Sequence, residues 1–134
     1  MTFRLSAEQI CRINEANGGD GVPRDPVALT VAVATAYGVV WSPRTQRWEL
    51  EYPDPLDRAV HLLVDLIRYR VFDTANTATA IRAVDVLLAA DGLILTLDSE
   101  RAAEWAEQCA HDHMRAPTWM KTWLLPWIAK AGAS

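Results

Sequence analysis

The stretch from Asp54 to Leu97 constrains the fold most, because it holds the two most apolar helical patterns of the chain with only a short polar turn between them. Asp54 predicts an N-cap, followed by Pro55 at the first helical position, where a missing N–H costs nothing. Leu56, Val60, Leu63, Val64, Ile67 and Val71 then recur on one helical face, widened by Leu62 and Leu66. Asp57, Arg58, His61, Asp65 and Arg68 occupy the remainder. The second helix is predicted from about Thr77 to Ala90, with Gly92 suited to the position just past its end. Arg82 and Asp85 are its only charges, and a helix apolar nearly all round belongs in the middle of a bundle. The fold class expected is therefore all-α, a helical bundle.

The turn runs from Arg70 to Ala80 and stands before a helix N-terminus. Backbone N–H groups there lack acceptors and the helix dipole is positive, so the place suits an anion. The simpler alternative is a plain connection, capped by Thr74 or Asn76 and anchored in the core by Phe72.

The same residues carry a resemblance. The turn resembles the signature of the Fic/Doc family, His-x-Phe-x-(Asp or Glu)-(Gly or Ala)-Asn-(Gly or Lys)-Arg, often followed by Thr-Ala in Doc-like members. Phe72, Ala75, Asn76, Thr79 and Ala80 stand at matching positions. Leu5-Ser6-Ala7-Glu8-Gln9-Ile10 with Ile13-Asn14-Glu15 is similar to the family's opening helix. Arg24-Asp25-Pro26 with its Ala/Val-rich sequel is similar to the second, and Leu87 to Gly92 to the end of the helix after the motif. Residues 5 to 97 can be laid along the family in this way. The resemblance implies a Fic/Doc-like bundle with a short β-hairpin or flap before the central helix. It divides the chain into a Doc-like domain over 1–115 and a Trp-rich C-terminal helix over 116–134.

The departures from the signature bear on chemistry. Arg70 stands where the family has its catalytic His, Thr74 where it has an acidic Mg²⁺ ligand, and Thr77 and Ala78 where it has the Gly/Lys and Arg that clamp phosphates. Guanidinium has no acceptor and a pKa above about 12, so Arg70 cannot remove a proton from a target hydroxyl. A Thr hydroxyl is a poor Mg²⁺ ligand beside a carboxylate, and losing the Arg removes a bidentate phosphate contact. His61 is about 13 Å along the helix axis from Arg70, too far to substitute. No catalytic residue is assigned at Arg70, Thr74, Asn76 or Ala78. Asn76, Thr77 and Arg70 are the candidate anion-binding residues. The cofactor implied is a nucleoside triphosphate with Mg²⁺.

Two functions follow from the resemblance. One is a degenerate Fic/Doc domain that binds or regulates, with an antitoxin-like or target protein, or a second copy of the chain, as partner. The other is an active transferase with altered machinery. Doc-like toxins of toxin–antitoxin pairs phosphorylate translation elongation factor Tu, and other Fic proteins AMPylate protein hydroxyls.

The remaining stretches add partners rather than catalysis. Ser6 and Gln9 form a capping box with Leu5 stapled onto Ile10. Asn17 to Gly21 make a turn, and Asp25-Pro26 start a segment whose Thr and Val content suits a strand but whose Ala residues and closing Gly38 favour helix. From Trp48 to Tyr52 apolar and charged residues alternate, which predicts a strand in a hairpin over Val39 to Pro53. In the family a flap here lies over the active site. Its Trp41, Trp48 and Tyr52 are candidate partner-binding residues, because aromatic rings dominate interface hot spots; alternatively they fold down onto the core. Leu93 to Leu97 is extended, and Asp98 or Ser99 caps a helix to about His113. Trp119, Trp123 and Trp127 form one stripe with Met120, Leu124 and Ile128, kinked by Pro126. That tail either packs back or faces a partner.

Charge and composition exclude other classes. With 134 residues, 51% hydrophobic and 22% charged, the chain has enough for one globular domain. A net charge of −4 speaks against a general nucleic-acid binder. Cys11 and Cys109 show no CxxC spacing, and His111 and His113 point to different helix faces, so no metal site is expected. No leader and no membrane-spanning run is read, so a cytoplasmic location is the expectation.

Overall fold

A computed structural model describes residues 4–111 and 117–132, with residues 109–111 and 117–119 described by backbone alone. The expectations placed on Cys109, His111, His113 and Trp119, and on a boundary at residues 115–116, fall outside the described side chains or residues. Among the described residues the protein is mostly helical, with six α-helices and two small antiparallel sheets.

Three helix starts form as their caps dictate. Ser6 Oγ accepts from Gln9 N–H at 3.1 Å and Gln9 Oε1 from Ser6 N–H at 2.8 Å, opening α1 (Ala7–Ala16). Asp25 accepts from Ala28 N–H at 3.0 Å, opening α2 (Pro26–Ala36). The ambiguous Val/Thr segment is thus helical, its strand propensity overridden by the Asp-Pro start and by burial of Leu29, Ala32 and Ala36. Asp54 accepts from Leu56 N–H at 2.9 Å, opening α3 (Pro55–Arg68).

α3 is the axis of the molecule, packed against α2, α4 (Asn76–Ala90), α5 (Ser99–His111) and α6 (Pro117–Leu124). Every apolar position of its predicted face from Leu56 to Ile67 is buried. α1 lies on α4. The α2 start is tied to the α3–α4 turn, where the Val71 carbonyl accepts from Arg24 N–H at 2.7 Å.

Between α2 and α3, β1 (Val39–Ser42) pairs with β2 (Arg47–Leu50), with Trp41 opposite Trp48. Tyr52 does not extend β2. The strand ends at Leu50, and Pro53 has no N–H to offer a ladder. Tyr52 instead stacks on His61, ring centroids 3.9 Å apart, and its carbonyl accepts from Arg58 Nη1 at 2.8 Å.

The C-terminal stripe is not one helix. α6 stops at Leu124, a single 3-10 turn covers Leu125–Trp127, and β4 (Ile128–Lys130) pairs antiparallel with β3 (Leu93–Leu95). Pro126 cannot donate into a helix, and the free edge of β3 supplies the partners that a continued helix would have had. The tail packs back: Met120 and Leu124 are buried, and Trp123 stacks on Trp105 with centroids 5.3 Å apart.

Lys121 fixes α6 to the start of α3 by ion pairs to Asp54 at 2.7 Å and Asp57 at 3.2 Å. The hydrogen bond to Lys121 holds the Asp54 carboxyl below its ordinary pKa, and the bond to Asp54 holds the Lys121 ammonium above its own. Asp54 therefore stabilises the fold above the usual carboxylate range, and that contribution fades as pH falls through its lowered value. Lys121 contributes below the usual lysine range and loses its contribution as pH rises through the raised value. Both groups are partly solvated, so the pair contributes under about 1 kcal/mol. Lys121→Met should melt below the wild type at pH 7. The gap should close as pH falls below about 4, which thermal melts across pH 3–8 measure. A gap independent of pH would refute the ion pair as its source.

Candidate functional site

The α3–α4 turn is built on two left-handed residues and two side-chain clamps. Arg70 has φ +47° and Ala75 φ +61°, a region that side chains adopt at a cost of about 1 kcal/mol or more. Ala75 is the N-cap of α4 and offers no side-chain cap, so neither Thr74 nor Asn76 caps the helix. Asn76 is the first helical residue. Its Oδ1 accepts from Phe72 N–H at 2.9 Å and its Nδ2 donates to the Phe72 carbonyl at 2.7 Å, closing the loop on itself. Phe72 anchors this loop in the core, 2% exposed.

The second clamp comes from α1. Asn14 is fully buried, and its Nδ2 donates to the Thr74 carbonyl at 3.0 Å and to Thr79 Oγ1 at 3.1 Å. Its Oδ1 accepts from Gly21 N–H at 3.0 Å. One amide thus satisfies groups on three segments. Gly19 leaves room for it: a Cβ there would lie 2.0 Å from Asn14 Oδ1.

A cavity of about 340 Å³ opens on this turn, lined by Ile67, Arg70, the run from Asp73 to Ala78, and Glu107 of α5. α4 begins here without a side-chain cap, and its first-turn residues Asn76, Thr77 and Ala78 line the cavity. Its charges are mixed: Arg70 is a cation, Asp73 and Glu107 are carboxylates. Thr77 Oγ1 donates to Glu107 Oε1.

Of the residues singled out in the sequence, Arg70, Thr74, Asn76, Thr77 and Ala78 all line this cavity. Both polar atoms of the Asn76 side chain are engaged with Phe72, so its contribution toward a ligand is its backbone N–H. Trp41, Trp48 and Tyr52 do not line it. Trp48 borders a separate groove with Arg4, Tyr37, Val39, Leu50 and Arg58, at the opposite end of α3. The two indoles do not fold onto the core either. Trp41 is 48% and Trp48 66% exposed, packed edge to face with centroids 5.6 Å apart.

Asp73, Glu107 and Asn14 were not found from the sequence. Glu107 reaches the site only because α5 packs on α4. Asn14 carries a readable signal, a polar residue four positions after Ile10 on the inward face of α1. Among the described residues no group of three or more His, Cys, Asp or Glu side chains is placed to hold a metal by itself. Burial pushes the half-buried Cys11 thiol up, away from nucleophilic thiolate.

What the fold and site define is a mostly helical domain with a cavity at one uncapped helix N-terminus. Compared with known proteins, the chain matches no family model and no curated sequence. Among the described residues no helix is long and apolar enough to cross a membrane.

Proposed function

We propose that the chain is a Doc-like Fic domain with a degenerate motif, which binds at the motif turn rather than transferring a group there. The observation that carries this reading is the pairing of a cavity at an uncapped helix start with an unsuitable base. The Asn76–Phe72 clamp and uncapped Ala75 set the start of α4 on a cavity that Arg70, at the motif's His position, also lines. A guanidinium attracts anions and cannot accept a proton.

The ligand implied is a nucleoside triphosphate with Mg²⁺. The amides and Arg70 suit phosphate oxygens. Asp73 and Glu107 would repel bare phosphate but suit a divalent cation that the phosphates also bind. Binding is therefore expected to depend on Mg²⁺. The protein partner is read as an antitoxin-like or target protein, or a second copy, meeting the exposed Trp41–Trp48 hairpin in the cytoplasm. A second reading, transfer by altered machinery, is favoured by one feature: Asp73 and Glu107 are carboxylates able to accept a proton beside the cradle.

Calorimetric titration with ATP, GTP, CTP and UTP, with and without Mg²⁺, tests the proposal. The expected result is a Kd between about 1 µM and 1 mM for at least one nucleotide with Mg²⁺, weakened at least about tenfold by Asn76→Ala. No binding at millimolar nucleotide would overturn it. Transfer of labelled phosphate or AMP to a protein, abolished in Glu107→Gln, would replace binding by catalysis.

A further inference from the structure

We propose that the cavity between the base of the β1–β2 hairpin and the start of α3 binds a small aryl carboxylate, held by Arg4 and Arg58. The cavity measures about 180 Å³ and is lined by these two arginines with Tyr37, Val39, Trp48 and Leu50. Among the described residues no carboxylate lines it, although the chain carries a net −4. Arg4 makes no ion pair among the described residues, and its guanidinium sits 5.5 Å over the Tyr37 ring. Two cations thus converge on one small cavity, where both would attract a single anion.

Arg58 is the buried member of the pair, 5% exposed on α3. Its Nη1 donates to the carbonyls of Tyr52 at 2.8 Å and Pro53 at 2.9 Å, which fixes the planar head before any ligand arrives. Those bonds leave its charge incompletely compensated. Asp91, its one ion-pair partner among the described residues, lies 3.3 Å from Nη2 on a side chain 41% exposed, and the buried Nε–H has no acceptor. A buried cation held in this way gains from a carboxylate that adds a charge-assisted hydrogen bond.

The walls select what the carboxylate is attached to. The register sets Val39 opposite Leu50, with Trp48 on the same face of the hairpin, and Tyr37 completes the lining. Tyr37 is held in place by its hydroxyl, which accepts from Leu5 N–H at 2.9 Å. These are apolar and aromatic surfaces, against which a flat ring packs. An apolar cavity of about 150 Å³ admits benzene, so about 180 Å³ suits a molecule the size of benzoate. A nucleoside triphosphate is too large for it, and inorganic phosphate would leave the walls unused.

This site is independent of the nucleotide reading, since its cavity and the α3–α4 turn lie at opposite ends of α3. Titration of the full chain with benzoate at constant ionic strength, followed by heteronuclear NMR, tests it. Saturable shifts are expected at Val39, Trp48 and Leu50 and at the Arg58 Nε–H, with a Kd of about 1 mM or tighter. Benzamide, an uncharged analogue of the same shape, should bind at least about tenfold more weakly, as should inorganic phosphate. Arg4 is exposed, so Arg4→Gln should keep the fold and the rest of the spectrum while weakening benzoate at least about tenfold. Arg4→Lys, which restores the charge, should recover part of that loss. A weaker or unsaturated response to benzoate would overturn the proposal. So would comparable binding of benzamide or phosphate, or an affinity unchanged in Arg4→Gln.

Discussion

Asn14→Ala is expected to lower the unfolding free energy by about 2–4 kcal/mol, because it removes a fully buried amide and leaves the buried Thr79 hydroxyl and two part-buried backbone groups without their partner. Thr79 Oγ1, the Thr74 carbonyl and the Gly21 amide all bond to this one side chain. Thr79 is itself fully buried, so water does not easily replace the lost bonds. The midpoint of thermal unfolding should fall by roughly 10 °C. Gly19→Ala should act through the same side chain, since a Cβ 2.0 Å from Asn14 Oδ1 forces the amide out of its place. The two effects should therefore not add. In the Asn14→Ala background, Gly19→Ala should cost much less than alone, and a double-mutant cycle by urea unfolding measures the difference. Additive costs would show that Gly19 and Asn14 are not coupled as the geometry requires. Amide hydrogen exchange in Asn14→Ala should also accelerate at the first turn of α4, where the motif turn meets the cavity.

Phe72→Ala is expected to cost about 3–5 kcal/mol, the range for removing a buried aromatic ring from a packed core. Phe72 ranks among the largest fully buried side chains, and its backbone N–H and carbonyl are the two groups that Asn76 holds. The ring thus fixes the loop from inside and the amide from outside. Loss of the ring should release the left-handed conformation at Ala75 and collapse the cavity lined by the Asp73–Ala78 run. Phe72→Leu, which keeps most of the buried volume, should restore more than half of the stability. Denaturant unfolding of the two variants checks this; a cost below about 1 kcal/mol for Phe72→Ala would mean the ring does not anchor the turn.

These two positions separate local information from long-range information. The helices around the turn are readable because each is specified by neighbours in sequence. Asp54 and Pro55 start α3, its apolar residues repeat at helical spacing, and Gly92 follows the end of α4 with φ +73°. The same holds for the Ser6–Gln9 box and for Asp25 before Pro26. The turn's place before a helix N-terminus was legible on the same grounds, as was Phe72 in the core.

The sequence by itself therefore determined where the main helices start, which faces they bury, that the α3–α4 turn would face a helix N-terminus, and that Arg70 there cannot serve as a base. Only the tertiary structure decided the rest. Asn76 was read as a cap or an anion ligand, but its side chain is taken up by Phe72, since the buried loop must satisfy its own amides. Asn14 and Glu107 reach the turn through packing of α1 and α5 on α4, and sequence spacing carries no record of that approach. The tail reads as a helix by period, yet past Pro126 it becomes a strand because β3 offers a free edge. The hairpin's aromatic residues were legible as a cluster. Their position at the far end of α3 from the cavity follows from how α2 crosses the bundle, which no local pattern encodes.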